Sequence, residues 1–222
     1  MHSTLKQLEF VQNKINEIIN TKQLKTKPKI IVVTKTFPIK NIIPLLEYGH
    51  IHYGENKIQE AEEKWSKIKN NNKNLRLHML GTLQTNKAKK AVKLFDFIHS
   101  LDNERLALKI SQYQKELNKE VKLFIQVNLA NEEQKSGLAL NSLHHFYNYC
   151  VHELSLNIIG LMCLPPIEVN SDKYFRVLKR SSEDLNLKEL SMGMSSDFVD
   201  AVLNGSTFLR LGTLIMGKRN II

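Results

Sequence analysis

Eight short apolar runs punctuate this chain, and each leads directly into a polar or glycine-bearing segment. The runs are Lys29–Lys35, His50–Tyr53, Leu75–Leu80, Phe97–His99, Lys122–Asn128, Asn157–Met162, Glu189–Met192 and Phe208–Leu211. Stretches with helical spacing separate them, as where Leu106, Ile110, Tyr113 and Leu117 share one face. Strands alternating with helices run parallel, because each crossover helix returns the chain to the same edge of the sheet. Eight such units predict an α/β chain folded as a (β/α)8 TIM barrel, one domain over residues 1–222. An open doubly wound sheet is the alternative, but no GxGxxG follows the first run.

The segments after the runs read "TK", "YGENKIQE", "LGTLQTNK", "HSLDN", "VNLANEEQKSG", "MCLPP", "SMGMSS" and "RLGT". In a parallel barrel all eight gather at the C-terminal mouth, where binding and catalytic groups collect. Ahead of the first run, Leu5, Leu8, Val11, Ile15 and Ile18 keep helical spacing. They predict an N-terminal helix, and without a continuous apolar core this stretch is not a signal peptide. No apolar run reaches the length of a membrane span. Cys150 and Cys163 form no ligand cluster, which suits a reduced, cytoplasmic setting. The net charge of +10 raises the question of nucleic acid. Lysines are spread among many Asn and Ile residues without an RNP-like, zinc or Arg-rich motif, so nucleic-acid binding is not expected as the main function.

Lys35 stands where the first run ends, in "VVTKT". An isolated ammonium in low dielectric costs several kcal/mol, and the usual response is a lowered pKa. Such an amine is a nucleophile for aldehydes; the ordinary alternative is that Lys35 snorkels to water. The last two strand ends bear on the choice. "ELSMGMSSD" offers Ser191, Gly193, Ser195 and Ser196, and "FLRLGTLIMGKR" offers Gly212 and Thr213. Loops after the seventh and eighth strands of barrels often hold phosphate, although each of these residues alone reads as a cap or turn. A phosphate grip opposite an aldehyde-seeking lysine matches pyridoxal 5′-phosphate, which carries both groups.

These motifs, with "YGENKIQE", "LHMLGTLQTNKAK", "IHSLDNERLA", "QVNLANEEQKSG" and "GLMCLPP", resemble the YggS/PROSC family of pyridoxal phosphate homeostasis proteins over nearly the whole chain. The resemblance implies a fold like the N-terminal barrel of alanine racemase and a Lys35 that forms the internal aldimine. It places Ser191, Met192, Gly193, Ser195, Arg210, Gly212 and Thr213 around the phosphate and ring, and Asn56 and His78 on the cofactor face. Arg210 would either keep the ring nitrogen unprotonated or serve as a charge partner of the phosphate. Lys87 and Lys135 lie in family motifs too, as transient aldehyde acceptors, as guides for an anion, or as ordinary solvated lysines. Two departures stand out. Phe37 follows "TKT" where relatives often carry lysine, and Leu77 precedes His78 where tryptophan is common.

The resemblance implies a protein that holds pyridoxal phosphate, maintains vitamin B6 homeostasis and passes the cofactor to apo-enzymes, with no robust racemase activity and no catalytic or metal-binding residues. A small amino-acid racemase is the alternative. Alanine racemase adds a β-domain and a partner's tyrosine as second base, whereas this sequence stops a few residues past its eighth strand. Tyr48 and Tyr53 are the tyrosines nearer the expected mouth, and Tyr53, just before "GEN", is the one that could act there. Lacking those dimer elements, the chain is expected to be a monomer.

Overall fold

The computed structural model describes residues 2–130, 132, 134–166 and 170–218. Helix α1 (Ser3–Lys22) opens the fold; the His2 ring accepts from the Thr4 amide and caps it, and Leu8, Val11, Ile15 and Ile18 form its buried stripe. The order then runs β1 (Lys29–Val33), α2 (Ile43–Glu47), β2 (His52–Glu55), α3 (Ile58–Asn71), β3 (Arg76–Met79), α4 (Ala88–Leu94) and β4 (Phe97–Leu101). It continues through α5 (Glu104–Leu117), β5 (Lys122–Asn128), β6 (Leu138–Ala139), α6 (Leu143–Asn148), β7 (Ile158–Cys163) and α7 (Asp172–Asp184). The last elements are β8 (Glu189–Ser191), α8 (Phe198–Leu203), β9 (Phe208–Leu211) and α9 (Thr213–Met216).

All strand pairs are parallel, and β4 pairing with β5 closes the ring β1-β2-β3-β4-β5-β7-β8-β9. This is the expected eight-stranded barrel with its N-terminal helix. The two-residue β6 pairs with β5 and is additional to it; so short a strand leaves no periodic trace in the sequence.

The boundary that matters most is at β1. The run Lys29–Lys35 leaves the ladder after Val33. Thr34 still donates its amide to Gly54, the Phe37 amide closes a turn on the Thr34 carbonyl, and Thr36 takes φ 66°. Lys35 therefore sits at a tight corner above the strand rather than on it.

Two apolar layers flank the sheet. Inside the barrel, Ile31, Val33, Leu80, Phe97, Phe124, Met162 and Phe208 pack together. The larger layer lies between strands and helices and takes in Leu77, which is fully buried, and the edge of Phe37. Tyr53 also belongs to this outer layer, its ring 4.8 Å from that of Trp65 and its surface wholly covered. That placement removes Tyr53 from the mouth, because strand alternation turns it outward. Cys150 and Cys163 are free and buried, and burial pushes both thiols up to about 12. Among the described residues, no helix is long and apolar enough to cross a membrane.

Candidate functional site

The corner that carries Lys35 is braced from below. Glu55, at the end of β2, has no exposed surface, and its Oε1 accepts from Thr34 Oγ1 (2.7 Å), Lys64 Nζ (2.8 Å) and Trp65 Nε1 (2.9 Å). Lys64, itself nearly buried, also donates to the Thr34 carbonyl and to Glu60, while Glu60 receives the Thr36 amide. Both neighbours of Lys35 are thus held by one ionic network. Lys35 itself is half-buried.

The β8 and β9 ends stand beside this corner. Val32 is in register with Leu211, and a side chain on Gly212 would lie 3.5 Å from Val33. Gly193 takes φ +92°, and a Cβ there would come within 2.4 Å of Ala201 and 2.8 Å of Leu209, so this loop needs glycine. Ser195 Oγ accepts from the Leu214 amide at 3.2 Å and ties the two loops together. No acceptor among the described residues takes the amides of Ser195, Ser196 or Thr213. Met192 is fully buried, and its carbonyl receives Ser206 Oγ. Below the loops, the buried Arg210 donates to Ser191 Oγ (2.8 Å) and to the Cys163 carbonyl (2.9 Å). Burial lowers the pKa of that guanidinium from its ordinary value.

The structure brings Lys35, Gly193, Ser195, Gly212 and Thr213 to one mouth, with Ser191 and Arg210 beneath it. Asn56 follows β2 at that end; its carbonyl lies 2.3 Å from where a Cβ on Gly81 would stand, so the "LGT" loop can pass only as glycine. Asn56 and Lys87 line a cavity of about 580 Å³ on the α3 side, which Lys35 does not line. Lys135 is paired with Glu132 at 2.8 Å.

His78 lies deeper, inside the barrel, with both ring nitrogens engaged. His52 Nδ1 meets His78 Nε2, His78 Nδ1 meets His99 Nε2 (each 2.9 Å), and His99 Nδ1 meets Ser191 Oγ at 2.8 Å. A polar chain therefore crosses the barrel axis from its N-terminal end to Arg210. Aromatic faces enclose it: His78 stacks on Phe97 (4.3 Å) and His99 on Phe124 (4.2 Å). Among the described residues, no group of three or more His, Cys, Asp or Glu side chains could hold a metal. Sequence reasoning singled out His78 alone, yet "HIHYG", "RLHML" and "FIHSL" set a histidine on three successive strands, a pattern that was there to be read.

Burial holds this chain neutral. It lowers the His50 and His52 pKa to about 4 and those of His78 and His99 well below 6.5. Because folded values lie below unfolded ones, the unfolded chain binds more protons between pH 6.5 and about 4, and stability falls on acidification. The slope is at most about 1.4 kcal/mol per pH unit for each histidine. Melting followed at about pH 7 and about pH 5 should show the loss, reduced in His99→Phe. Equal melting temperatures would mean that the folded rings already carry protons.

A model of the family described as "Alanine racemase, N-terminal domain" matches residues 8–220. The pyridoxal phosphate homeostasis protein of Synechocystis is 35% identical over 95% of this chain and 99% of its own length. That of Pasteurella multocida is 30% identical over 96% and 95%. The solved structure of PipY from Synechococcus elongatus with pyridoxal phosphate bound superimposes with a TM-score of 0.80 at 33% identity, over 91% of this chain and 100% of that one. Fold, motifs and full-length similarity agree: the chain belongs to the pyridoxal phosphate homeostasis protein family, built on the alanine racemase N-terminal domain.

Proposed function

We infer that this protein binds pyridoxal 5′-phosphate at the C-terminal mouth of its barrel and serves vitamin B6 homeostasis, with Lys35 as the covalent anchor. The observation that carries the reading is the pairing of the Lys35 corner with three acceptor-free amides, that of Thr213 one strand away and those of Ser195 and Ser196 two strands away. Pyridoxal phosphate supplies an aldehyde for an amine, a phosphate dianion for such amides, and a flat pyridine ring. Ser195, Gly212 and Thr213 would hold the phosphate, with Gly193 and Met192 shaping the loop. Gly212 lets the backbone approach an anion closely. Ser191 and Arg210 would lie on the ring side. A buried guanidinium donates and cannot accept, so Arg210 would keep a ring nitrogen unprotonated. Asn56 would flank the ring, and His78 would act from beneath through His99 and Ser191.

The names and structures of the relatives support this reading: the two named above are pyridoxal phosphate homeostasis proteins, and PipY has a structure with the cofactor bound. On the same reading the chain works as a cytoplasmic monomer that keeps a reactive aldehyde sequestered and gives it to apo-enzymes. Mixing loaded protein with a cofactor-free pyridoxal phosphate enzyme should restore that enzyme's activity; no recovery would confine the role to storage.

Equilibrium binding tests the phosphate loops. Ser195→Ala and Thr213→Val should each weaken retention by roughly 1.5–3 kcal/mol, the value of one hydrogen bond to a charged group. Absorbance titration reads the affinity. Unchanged affinity in both variants would move the phosphate elsewhere.

A further inference from the structure

The opposite end of the barrel is unusual. In most barrels the N-terminal face is packed shut and contributes stability only. Here a cavity of about 520 Å³ opens among the starts of the strands. Four cations line it: Lys29, Arg76 and Lys122, each the first residue of its strand, and Lys188 just before β8. Glu189 is the lone carboxylate of the lining, and its contact with Lys29 is long at 3.5 Å and partly exposed. Among the described residues, no carboxylate lies within ion-pair distance of Arg76, Lys122 or Lys188. Arg76 gives one amino group to the Lys73 and Leu75 carbonyls and nothing to a side chain.

The walls are apolar and flat. The Phe208 ring lies 4.6 Å from the Lys29 ammonium, and the Phe97 ring 5.6 Å from that of Lys122. Like charges brought to one concavity raise each other's energy and focus a positive field, which an anion relieves. In a chain with net charge +10, scattered lysines would be expected to lie on open helix faces, not to converge on strand starts around aromatic rings. His52 also lines the cavity, and its far nitrogen begins the histidine chain that ends at Ser191 and Arg210.

We propose that this N-terminal mouth is a second ligand site, which takes a phosphate monoester carrying a flat ring. The cations fit a dianionic group, the apolar side chains of Ile51, Ile159 and Leu187 in the lining fit the ring, and the volume falls in the range of small-molecule sites. Lys35 does not line this cavity, so binding here can be read with the C-terminal mouth already occupied.

The probe is adenosine monophosphate, titrated into full-length protein that has been loaded with pyridoxal phosphate, fixed with borohydride and freed of unbound cofactor, so that the C-terminal mouth is filled and the N-terminal one is empty. Calorimetry should give one saturable, salt-weakened site, and ring signals of His52 in nitrogen-15 spectra should move with it. Lys122→Gln and Arg76→Glu should each lose at least about tenfold in affinity, with Lys35 loading and circular dichroism unchanged. Lys122→Gln adds no repulsion and guards against a misfolded Arg76→Glu. Absence of saturable binding, binding that survives both substitutions, or inorganic pyrophosphate binding as tightly as the nucleotide would each overturn the proposal.

Discussion

Lys35→Ala protein, incubated with pyridoxal phosphate and reduced with borohydride, should carry no covalently fixed cofactor, whereas wild-type protein should carry one per chain on the peptide containing Lys35. The expectation rests on which amines the fold offers near the β8 and β9 loops. Lys64 is nearly buried and spends its donors on Glu55, Glu60 and the Thr34 carbonyl. Lys135 is paired with Glu132, and Lys87 opens onto the α3-side cavity, which Lys35 does not line. Lys35 alone among these follows directly on the strand that pairs with β9, two residues past the Val33 that faces Gly212. An amine within covalent reach of an aldehyde must also leave the phosphate within reach of its donors, and adjacency in the sheet provides both at once. Lys35→Arg is the useful control: it keeps the charge and length of the side chain but not its nucleophilicity. If peptide mass spectrometry finds the reduced cofactor on Lys87 or Lys135 of the wild-type protein, the anchor has been misassigned. If both variants bind with undiminished affinity, the covalent bond is incidental and the loops do the holding.

How much of this was readable beforehand differs by layer. The barrel was legible because apolar runs and helical spacing are local signals, and eight of each leave few alternatives. The Lys35 corner and the two glycine-rich loops were legible because mouth residues follow strand ends in order. The strand limit misled, since Thr34 reads as a strand residue but spends its hydroxyl on Glu55 and the chain turns; so did Tyr53, which alternation sends to the outer layer, and His78, which lies beneath the mouth. What lay hidden depends on contacts between distant strands. His52, His78 and His99 form a chain only because β2, β3 and β4 are neighbours in register, and His99 finds Ser191 ninety-two positions later. Likewise, nothing local in "HYGENK" says that Glu55 turns outward from the barrel beneath a helix to meet Trp65 and Lys64. The strand starts escaped notice for a different reason. Lysines before apolar runs look like ordinary solvated ends until closure of the barrel gathers them.

Glu55→Ala should lower stability by about 3 kcal/mol and slow attachment of pyridoxal phosphate to Lys35. Removing one member of a buried ion pair costs about 3–5 kcal/mol, because the other charge is left in low dielectric. Here the loss falls toward the lower end, since Lys64 keeps Glu60 at 2.9 Å. For a chain of this size, 1 kcal/mol corresponds to roughly 2–4 °C, so the melting temperature should drop by about 6–12 °C. Glu55→Ala combined with Lys64→Met should recover part of that loss, because no charge is left unpaired, while the cavity at position 55 keeps the rest. The kinetic effect has a separate cause. Thr34 is held by Glu55 and Lys64 and Thr36 by Glu60, so the network fixes the corner between them. Once Glu55 is gone, Thr34 Oγ1 loses its 2.7 Å partner and the corner samples other geometries. The double variant tells the two effects apart: it regains part of the stability without regaining the Thr34 contact, so its loading should stay slow. Fast loading in a stable double variant would mean that the backbone turn alone positions Lys35.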